Sequence, residues 1–331
     1  MVHRHRVSSL AVGAVTAVAA TLALAACGAS TSPPPAAAGG GGGGGCTVGQ
    51  VSQKPDPAPL AVNASVDQAA AAQVPASFKN KGTLTIATDA SYAPNEFTAT
   101  GSGAIIGMDV DLGTAIGQTL GLKTKFVNAS FDGILAGIQA GRYDLGMSSF
   151  TYTKEREQTV DFVNYFSAGT STMVTSCNPK HIASTQDLCG KTVGAEQGTT
   201  QLDQLSKPDV DGSVLKACQD AGKAAPVAKG FPKQTDVNSA LQAGRIDAYL
   251  ADSPVVDYAL AQTGGVFKKV GGDLATAPYG IAVPKDGGTL KNAIQAAVQK
   301  LMDDGTYQQI LQHWGVSSGA IQKAGINGAQ S

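Results

Sequence analysis

Two groups of polar residues follow predicted strands in this sequence. Ser148, Ser149 and Thr151 come directly after a strand predicted at 143–147, and Asp252 with Ser253 comes after a later strand. Ligands of open α/β sheets bind at the carboxyl ends of the strands, where hydroxyl and carboxylate groups supply hydrogen bonds and charge. Two such strand ends that face each other would form a polar cleft.

A repeated segment precedes both polar groups. Ile-Gln-Ala-Gly-Arg-Tyr-Asp at 138–144 recurs as Leu-Gln-Ala-Gly-Arg-Ile-Asp at 241–247, which is 103 residues further along the chain. Two distant copies indicate two similar α/β lobes, because a solenoid needs three or more shorter units. The alternative is that Gln-Ala-Gly-Arg is simply a common way to end a helix.

Apolar periodicity predicts the elements of the first lobe. The ordered part is expected to begin near Phe78. Strand, helix, strand, helix and strand then alternate, which is typical of a doubly wound α/β fold. The predicted positions are 83–87 (strand), 108–120 (helix, ended by Gly121), 126–127 (strand), 131–140 (helix, ended by Gly141) and 143–147 (strand).

The first 26 residues read as an export signal. Arg4 and Arg6 precede an apolar stretch, which ends in Leu-Ala-Ala-Cys at Cys27. This ending resembles the lipobox of bacterial lipoproteins and implies that Cys27 is lipidated. The alternative is an ordinary secretory signal with a chance cysteine. Residues 27–77 are rich in Gly, Pro and Ala, and we expect a disordered linker.

Composition excludes several classes of partner. The chain has 331 residues, 43% of them hydrophobic, and 24 Lys and Arg against 25 Asp and Glu. Loss of the leader changes the formal net charge from −1 to −3, because the leader holds two arginines and no acid. A slightly acidic chain argues against nucleic acid and against a polybasic membrane patch. No stretch after the leader approaches the length of a membrane span.

Cysteine usage predicts disulfides rather than a metal site. Beyond Cys27 the chain has four cysteines in an exported context, and it contains no Cys-x-x-Cys. We favour pairing of Cys189 with Cys218, which bracket one strand–helix unit, with Cys46 and Cys177 as a weaker second pair. Neither His-Glu-x-x-His nor a phosphate-binding loop occurs. We therefore expect no metal, no cofactor and no catalytic residue.

Motifs along most of the ordered chain resemble family 3 of the extracellular solute-binding proteins, the polar amino-acid receptors of ABC importers. Gly107 to Leu112 reads Gly-Met-Asp-Val-Asp-Leu, which looks like the family signature. The resemblance extends from about Thr83 to Trp314. Its other parts are Thr88-Asp89 with Tyr92-Ala93-Pro94, Phe131-Asp132-Gly133, Met147 to Thr151 with Thr153 and Arg156, Gly198 to Gln201, and Asp247 to Asp252.

The resemblance implies a two-lobed periplasmic-binding-protein-like fold of type II, with a ligand cleft between lobes joined by a hinge. Lobe 1 would comprise 78–174 and 276–331, and lobe 2 would comprise 175–275. Arg156 would bind a ligand carboxylate and Asp252 an ammonium group. The N–H groups of Ser149, Thr199 and Thr200, with the Thr151 hydroxyl, would complete the carboxylate site, and Tyr92 and Phe131 would stack on the ligand side chain.

Three acidic residues are candidates for selecting the ligand side chain. Asp89, Glu96 and Glu196 near one pocket would favour a basic or glutamine-like amino acid, and each is alternatively a solvated surface charge. Glu196 stands where many relatives carry an uncharged residue. The resemblance implies a monomer that passes its ligand to the transmembrane subunits of an ABC permease. The alternatives are an amino-acid-sensing receptor lipoprotein and an exported prephenate-type dehydratase on the same fold.

Overall fold

The computed structural model describes residues 54–329. The predicted leader, Cys27 and Cys46 lie outside the described residues. The strands of this part are β1 (Thr83–Thr88), β2 (Ser91–Tyr92), β3 (Glu96–Thr98), β4 (Ile105–Ile106), β5 (Lys123–Asn128), β6 (Leu145–Gly146), β7 (Val160–Thr175), β8 (Thr192–Glu196), β9 (Val227–Phe231), β10 (Ala248–Asp252) and β11 (Phe267–Pro284).

The helices alternate with these strands, as predicted for the α/β class. They are α1 (Gln68–Ala72), α2 (Ala76–Lys81), α3 (Met108–Thr119), α4 (Phe131–Gln139), α5 (Lys154–Glu157), α6 (Thr200–Ser206), α7 (Val214–Asp220), α8 (Gln234–Gln242), α9 (Ser253–Thr263), α10 (Leu290–Asp303) and α11 (Thr306–His313). Short 3₁₀ turns occur at Thr185–Leu188 and Ser317–Gly319. The predicted strands and helices between residues 83 and 147 are therefore confirmed.

Eight strands form one sheet in the order β5-β1-β6-β11-β7-β10-β8-β9. Its two halves are equivalent, because β5, β1, β6 and β11 follow one another inward from one edge as β9, β8, β10 and β7 do from the other. The two long strands β7 and β11 pair antiparallel along the middle. β1 pairs in parallel with β5 and β6 on one side, and β8 pairs in parallel with β9 and β10 on the other. Each side is a small α/β unit, which is the expected two-lobed architecture.

The repeated segment occupies the same place in both units. Gly141 and Gly244 end α4 and α8 in the left-handed conformation, with φ of 69° and 66°. The aspartate that closes each copy then accepts a hydrogen bond from a backbone N–H of a neighbouring strand, β1 in one unit and β8 in the other. Asp144 Oδ2 is 2.7 Å from the Thr85 nitrogen, and Asp247 Oδ2 is 2.9 Å from the Thr192 nitrogen. The repeat is thus a real structural equivalence.

Separate apolar clusters fill the two units. The largest packs α3, α10 and α11 on β1, β7 and β11, and a second lies between α4 and the same strands. Two others lie around β8 and β10, one against α8 and α9 and one against α6 and α7. Tyr92, which belongs to β2, packs with the residues of α8 and α9. The two units are therefore in contact through Tyr92.

The ordered chain begins earlier than predicted. Residues 54–77 were expected to belong to the disordered linker, but Leu60 and Val62 pack on the largest cluster. The Leu60 N–H donates to Asp111 Oδ2 over 3.0 Å, and the Ala64 N–H donates to Gln118 Oε1 over 2.8 Å. The prediction was wrong here because a few apolar residues and side-chain acceptors on α3 order a segment whose composition alone favours disorder.

The predicted disulfide between Cys189 and Cys218 is present and joins the turn before β8 to α7. Cys177 is also disulfide-bonded, and its pairing with Cys46 stays a prediction because Cys46 lies outside the described residues. Within residues 54–329, no helix is long and apolar enough to cross a membrane. The same part of the chain holds no group of three or more His, Cys, Asp or Glu side chains arranged to bind a metal.

Candidate functional site

A small, narrow cavity lies between the two units of the sheet. It brings together eight of the residues that the sequence predicted for ligand binding, and it adds Gln201. The lining residues are Tyr92, Phe131, Ser149, Thr151, Arg156, Thr199, Thr200, Gln201 and Asp252. They come from strand ends, from helix starts and from the loops between them in both units.

Arg156 bridges the two units. It belongs to the single turn of α5, which Thr153 caps by accepting a hydrogen bond from the Arg156 N–H. The guanidinium donates to the Thr151 carbonyl and, over 2.8 Å, to the Gly198 carbonyl in the other unit. It also lies 5.4 Å from the ring centre of Phe131 and 5.7 Å from that of Phe150. Burial lowers the pKa of Arg156, and the charges of nearby acidic residues raise it. The guanidinium stays charged, as it does in proteins generally.

Asp252 supplies the opposite charge. It ends β10, precedes α9 and is 5% exposed. Its Oδ1 accepts a hydrogen bond of 2.8 Å from Gln201 Nε2. Burial raises the pKa of Asp252 to about 7, while hydrogen bonds from Tyr279 and Gln201 and the charge of Arg156 act in the opposite direction. The cavity thus has a fixed cation on one side and a carboxylate that titrates near neutrality on the other.

Gln201 was missed as a functional residue. Sequence reasoning included it in the Gly198 to Gln201 motif but gave it no role. Its Nε2 is shared between Asp252 and, over 3.1 Å, the Thr170 hydroxyl, and its side chain is 3% exposed. One signal was available, because Gln201 is the first residue after Thr200 inside a motif already assigned to the site.

The threonines take different parts in the site. Thr199 caps α6, so its hydroxyl already accepts from the Leu202 N–H and donates to the Glu196 carbonyl. The Thr200 hydroxyl makes a long contact of 3.4 Å with Gln201 Oε1. Thr151 bridges to Tyr279 in β11, and its carbonyl accepts from Arg156. The predicted role of the Thr199 and Thr200 N–H groups stays a prediction.

Ser149 lines the cavity, but its predicted hydrogen bond to a ligand is not available in this structure. Its N–H donates to Asp109 Oδ2 over 3.2 Å, and its hydroxyl donates to Glu96 Oε2 over 3.1 Å. Ser149 has a φ of 51°, an uncommon left-handed conformation for serine. The contacts with Glu96 and Asp109 therefore fix a strained residue at the cavity wall.

Glu96 is a buried residue behind the cavity, and it does not line it. Both Glu96 and Asp109 are fully buried, and the Tyr165 hydroxyl donates to Asp109 over 2.8 Å. Burial and the neighbouring Asp109 raise the pKa of Glu96 well above its ordinary value, and burial raises that of Asp109 to about 6. Neither expectation for Glu96 holds, since it is neither in the lining nor on the surface. It forms a buried carboxyl pair with Asp109, and burial favours its neutral form.

Asp89 and Glu196 form a second acidic pair, and this one spans the two units. Asp89 follows β1, Glu196 ends β8, and they are 2% and 1% exposed. Asp89 Oδ2 accepts from the N–H of Phe131, a lining residue, over 3.1 Å. Asp89 Oδ1 and both Glu196 oxygens accept no well-formed hydrogen bond from other residues in 54–329. Neither residue is a surface charge.

Burial favours a proton on this acidic pair. Burial, followed by the charge of Asp89, raises the pKa of Glu196 to about 9, and burial raises the pKa of Asp89. Asp89 also lines a larger cavity with Lys233 and Asn238. Tyr92 and Phe131 both line the smaller cavity, and Phe131 stacks on Phe150 with 4.7 Å between ring centres.

Comparison with known proteins finds relatives for most of the chain. The family described as bacterial extracellular solute-binding proteins, family 3, matches residues 84–317. The chain is similar to an arginine-binding protein, ArgT, of Corynebacterium glutamicum, with 32% identity over 77% of this chain and 82% of the relative.

Solved structures resemble the fold as well. An ancestral arginine-binding protein bound to arginine has 34% identity and a TM-score of 0.63, over 70% of this chain and 98% of that one. The same values of identity and TM-score hold for an ancestral arginine-binding protein bound to glutamine, over 71% and 98%. An ancestral amino-acid-binding protein described as a precursor of cyclohexadienyl dehydratase has 31% identity and a TM-score of 0.62, over 72% and 97%.

The proton on the acidic pair predicts how stability depends on pH. Glu196 has a folded pKa of about 9, above its unfolded value, so the folded state binds the extra proton. The free energy of unfolding of the ligand-free protein should therefore fall as pH rises from about 5 to 9, by up to about 1.4 kcal/mol per pH unit. Glu196→Gln should flatten this slope in urea unfolding measured at each pH.

An exposed glutamate on the same molecule provides the control. Glu155 has an 81% exposed side chain, so Glu155→Gln should leave the slope unchanged. Other buried carboxyls contribute to the parent curve, and only the difference between Glu196→Gln and the parent reports on Glu196. Equal slopes for these two proteins would show that Glu196 is ionised in the empty site.

Proposed function

The chain belongs to family 3 of the bacterial extracellular solute-binding proteins, and we propose that it captures a free polar amino acid outside the cytoplasmic membrane and delivers it to an ABC permease. The observation that supports this most directly is the placing of Arg156 and Asp252 around one cavity between the units. A guanidinium facing a carboxylate matches the two charges of an amino-acid backbone. Arginine is the ligand that we favour.

A zwitterion leaves water only if both of its charges find partners. Arg156 suits the ligand carboxylate because its planar fork donates two parallel hydrogen bonds. Asp252 suits the ammonium group. With a pKa of about 7 in the empty site, Asp252 is partly protonated at neutral pH, and an adjacent ammonium group favours its ionised form. The hydroxyl of Thr151 and the N–H groups of Thr199 and Thr200 are proposed to complete the carboxylate site.

The acidic pair of Asp89 and Glu196 supports a basic side chain. Three of its four oxygens accept no well-formed hydrogen bond within residues 54–329, and burial leaves the pair with a proton. A guanidinium has five N–H donors and a full charge, so it can replace that proton and occupy those acceptors. Tyr92 and Phe131 are proposed to pack on the aliphatic stem of the ligand. A relative named as an arginine-binding protein supports this preference. Glutamine, with a neutral amide side chain, is the second candidate ligand, because one similar structure is described as bound to glutamine.

Binding is proposed to close the two lobes. The proposed boundaries are 78–174 with 276–331 for lobe 1 and 175–275 for lobe 2. Arg156 and Phe131 then belong to lobe 1, while Asp252 and Glu196 belong to lobe 2. A ligand that bridges both lobes favours the closed form, because only that form offers both sets of contacts. The closed monomer would be the form that the transmembrane subunits of the permease accept.

Lipid anchoring through Cys27 is proposed to keep the receptor at the outer face of the membrane. The signal-like leader before Cys27 supports a cleaved, diacylated N-terminus at that residue.

Two other functions are open to test. A sensing receptor would bind the same ligands but would act on a signalling partner. A prephenate-type dehydratase has one observation in its favour, the similarity to the ancestral precursor of cyclohexadienyl dehydratase. A thermal-shift screen of the twenty amino acids with ornithine, citrulline and prephenate separates binding from turnover, since a ligand of the native state raises its stability. Consumption of prephenate would identify the enzyme.

Loss of either backbone partner should weaken binding strongly. In Arg156→Ala or Asp252→Ala, a charge of the bound amino acid is desolvated without its partner, and we expect arginine affinity to fall by roughly thirty-fold or more in calorimetry. Arg142→Ala removes an exposed arginine of the same unit and should bind as the parent does. Unchanged affinity in Arg156→Ala would disprove the site assignment.

Ligand choice should depend on Glu196. Glu196→Gln removes a negative charge, so affinity for arginine, lysine and ornithine should fall while affinity for glutamine is kept or rises. Arginine binding to the parent near pH 8 should also release a proton, which calorimetry in buffers of different ionisation enthalpy detects, and Glu196→Gln should release less. Glu155→Gln serves as the exposed control. A cation preference that survives in Glu196→Gln would remove the acidic pair from the specificity argument.

The lipid anchor has its own test. Cys27→Ser removes the only thiol that lipidation could use at the predicted cleavage site, so the variant should be secreted into the medium or remain unprocessed. Membrane and soluble fractions are compared by immunoblot, with Cys189→Ser as a control that keeps the anchor. Membrane partitioning of Cys27→Ser equal to that of the parent would rule out lipidation at this residue.

A further inference from the structure

The C-terminal tail, residues 320–329, lies beyond the residues matched by the family. It runs along the first half of β7, where Ile326 forms an antiparallel bridge with Val163. The Asn164 N–H donates to the Gly325 carbonyl over 3.0 Å, and the Asn327 N–H donates to the Phe162 carbonyl over 2.9 Å. β10 pairs with β7 only further along, at residues 170–173, so the tail covers a part of β7 that β10 leaves open.

Asn327 anchors the tail by its side chain. Its Oδ1 accepts from the Phe162 N–H over 2.8 Å, and its Nδ2 donates to Asp161 Oδ1 over 2.9 Å. Asp161 is held in turn by Lys291 at 2.7 Å and Lys285 at 3.3 Å. Asn327 has a φ of 54°, a conformation that asparagine tolerates better than most residues. The tail is therefore fixed at its end by specific contacts.

Past Asn327 the tail reaches the segment that presents Arg156. The Ala329 N–H donates to Glu157 Oε1 over 2.9 Å, and the Asn327 carbonyl lies 3.5 Å from the Tyr152 hydroxyl. Ala329 also packs on the cluster that contains Phe131 and Phe150, the two rings beside the Arg156 guanidinium. The tail thus touches the residue after Arg156 and the aromatic surface on which Arg156 lies.

Helix α5 needs such external support. It has four residues, and none of them is buried. A single helical turn is unstable alone, because ordering the backbone of the first turn loses more free energy than its one hydrogen bond provides. We propose that the C-terminal tail is a positioning element, which holds α5 through Glu157 so that the Arg156 fork faces the ligand carboxylate. This inference rests on the proposed function for its binding readout, and it has a second readout that needs no ligand.

Two variants of the full chain release the tail at different points. Glu157→Ala removes the acceptor for Ala329. Asn327→Gly removes the amide contacts and, because glycine accepts a positive φ, adds no strain. Each should weaken l-arginine binding by about threefold to tenfold in calorimetry, the effect of losing one or two hydrogen bonds that orient the site. Glu157→Gln keeps an acceptor oxygen and should restore most of the affinity.

Matched controls separate positioning from charge and from general stability. Glu155→Ala removes the same charge from the same helix turn at an exposed site and should leave affinity within twofold, roughly the scatter of a neutral surface change. In a double-mutant cycle with Arg156→Lys, which lacks the fork, the effect of Glu157→Ala should largely disappear. Additive losses would mean that the tail only stabilises the fold, and this would overturn the proposal.

Hydrogen exchange of the ligand-free protein gives the independent readout. The amides of residues 154–157 should exchange faster in Glu157→Ala and Asn327→Gly than in the parent, and Glu155→Ala should not change them. If arginine fails to bind the parent, the proposed ligand is wrong, and the exchange data still decide whether the tail holds α5. Unchanged exchange at 154–157 in both tail variants would overturn the proposal.

Discussion

The desolvation of charge between two lobes is the constraint on which the site depends. Asp89, Glu96, Asp109, Glu196 and Asp252 are all at most 5% exposed. Charged groups leave water only with partners, and the residues around this junction supply two cations, Arg156 and, near Asp89, Lys233, with a few neutral donors. Protons must therefore neutralise part of the acidic set in the empty protein. A ligand that brings its own cation can replace one of those protons.

The symmetry of the sheet explains why these groups meet. Because β1 and β8 occupy equivalent places in the two halves of the sheet, their carboxyl ends bring Asp89 and Glu196 to the same junction. The repeated helix ends, closed by Asp144 and Asp247, hold β1 and β8 through equivalent hydrogen bonds. Two equivalent units placed around β7 and β11 thus bring matching strand ends together, and the side chains at those ends then diverge to suit one polar ligand.

Sequence reasoning located elements and lining residues more reliably than hydrogen-bond partners. Apolar periodicity and helix-ending glycines are local, so β1, α3, α4 and the repeat could be predicted. Motif resemblance placed eight residues around the cavity. The N–H of Ser149 is donated to Asp109, and Glu96 is buried behind the wall, because tertiary neighbours compete for each polar group. Such competition between tertiary neighbours does not show in the periodicity of the sequence. The order of residues 54–77 was missed for a similar reason, since the side chains that accept hydrogen bonds from Leu60 and Ala64 lie on α3.

Arg156 is a charged group whose position the protein itself fixes. Its guanidinium donates to carbonyls of both units, at Thr151 and Gly198, and so links them. A guanidinium has five donors, and two such bonds leave others for a carboxylate. Contacts within the protein therefore order this side chain, and they come from the Thr153 cap, two aromatic rings and the C-terminal tail. A binding group ordered in advance loses less entropy when the ligand binds, which raises affinity without any new contact.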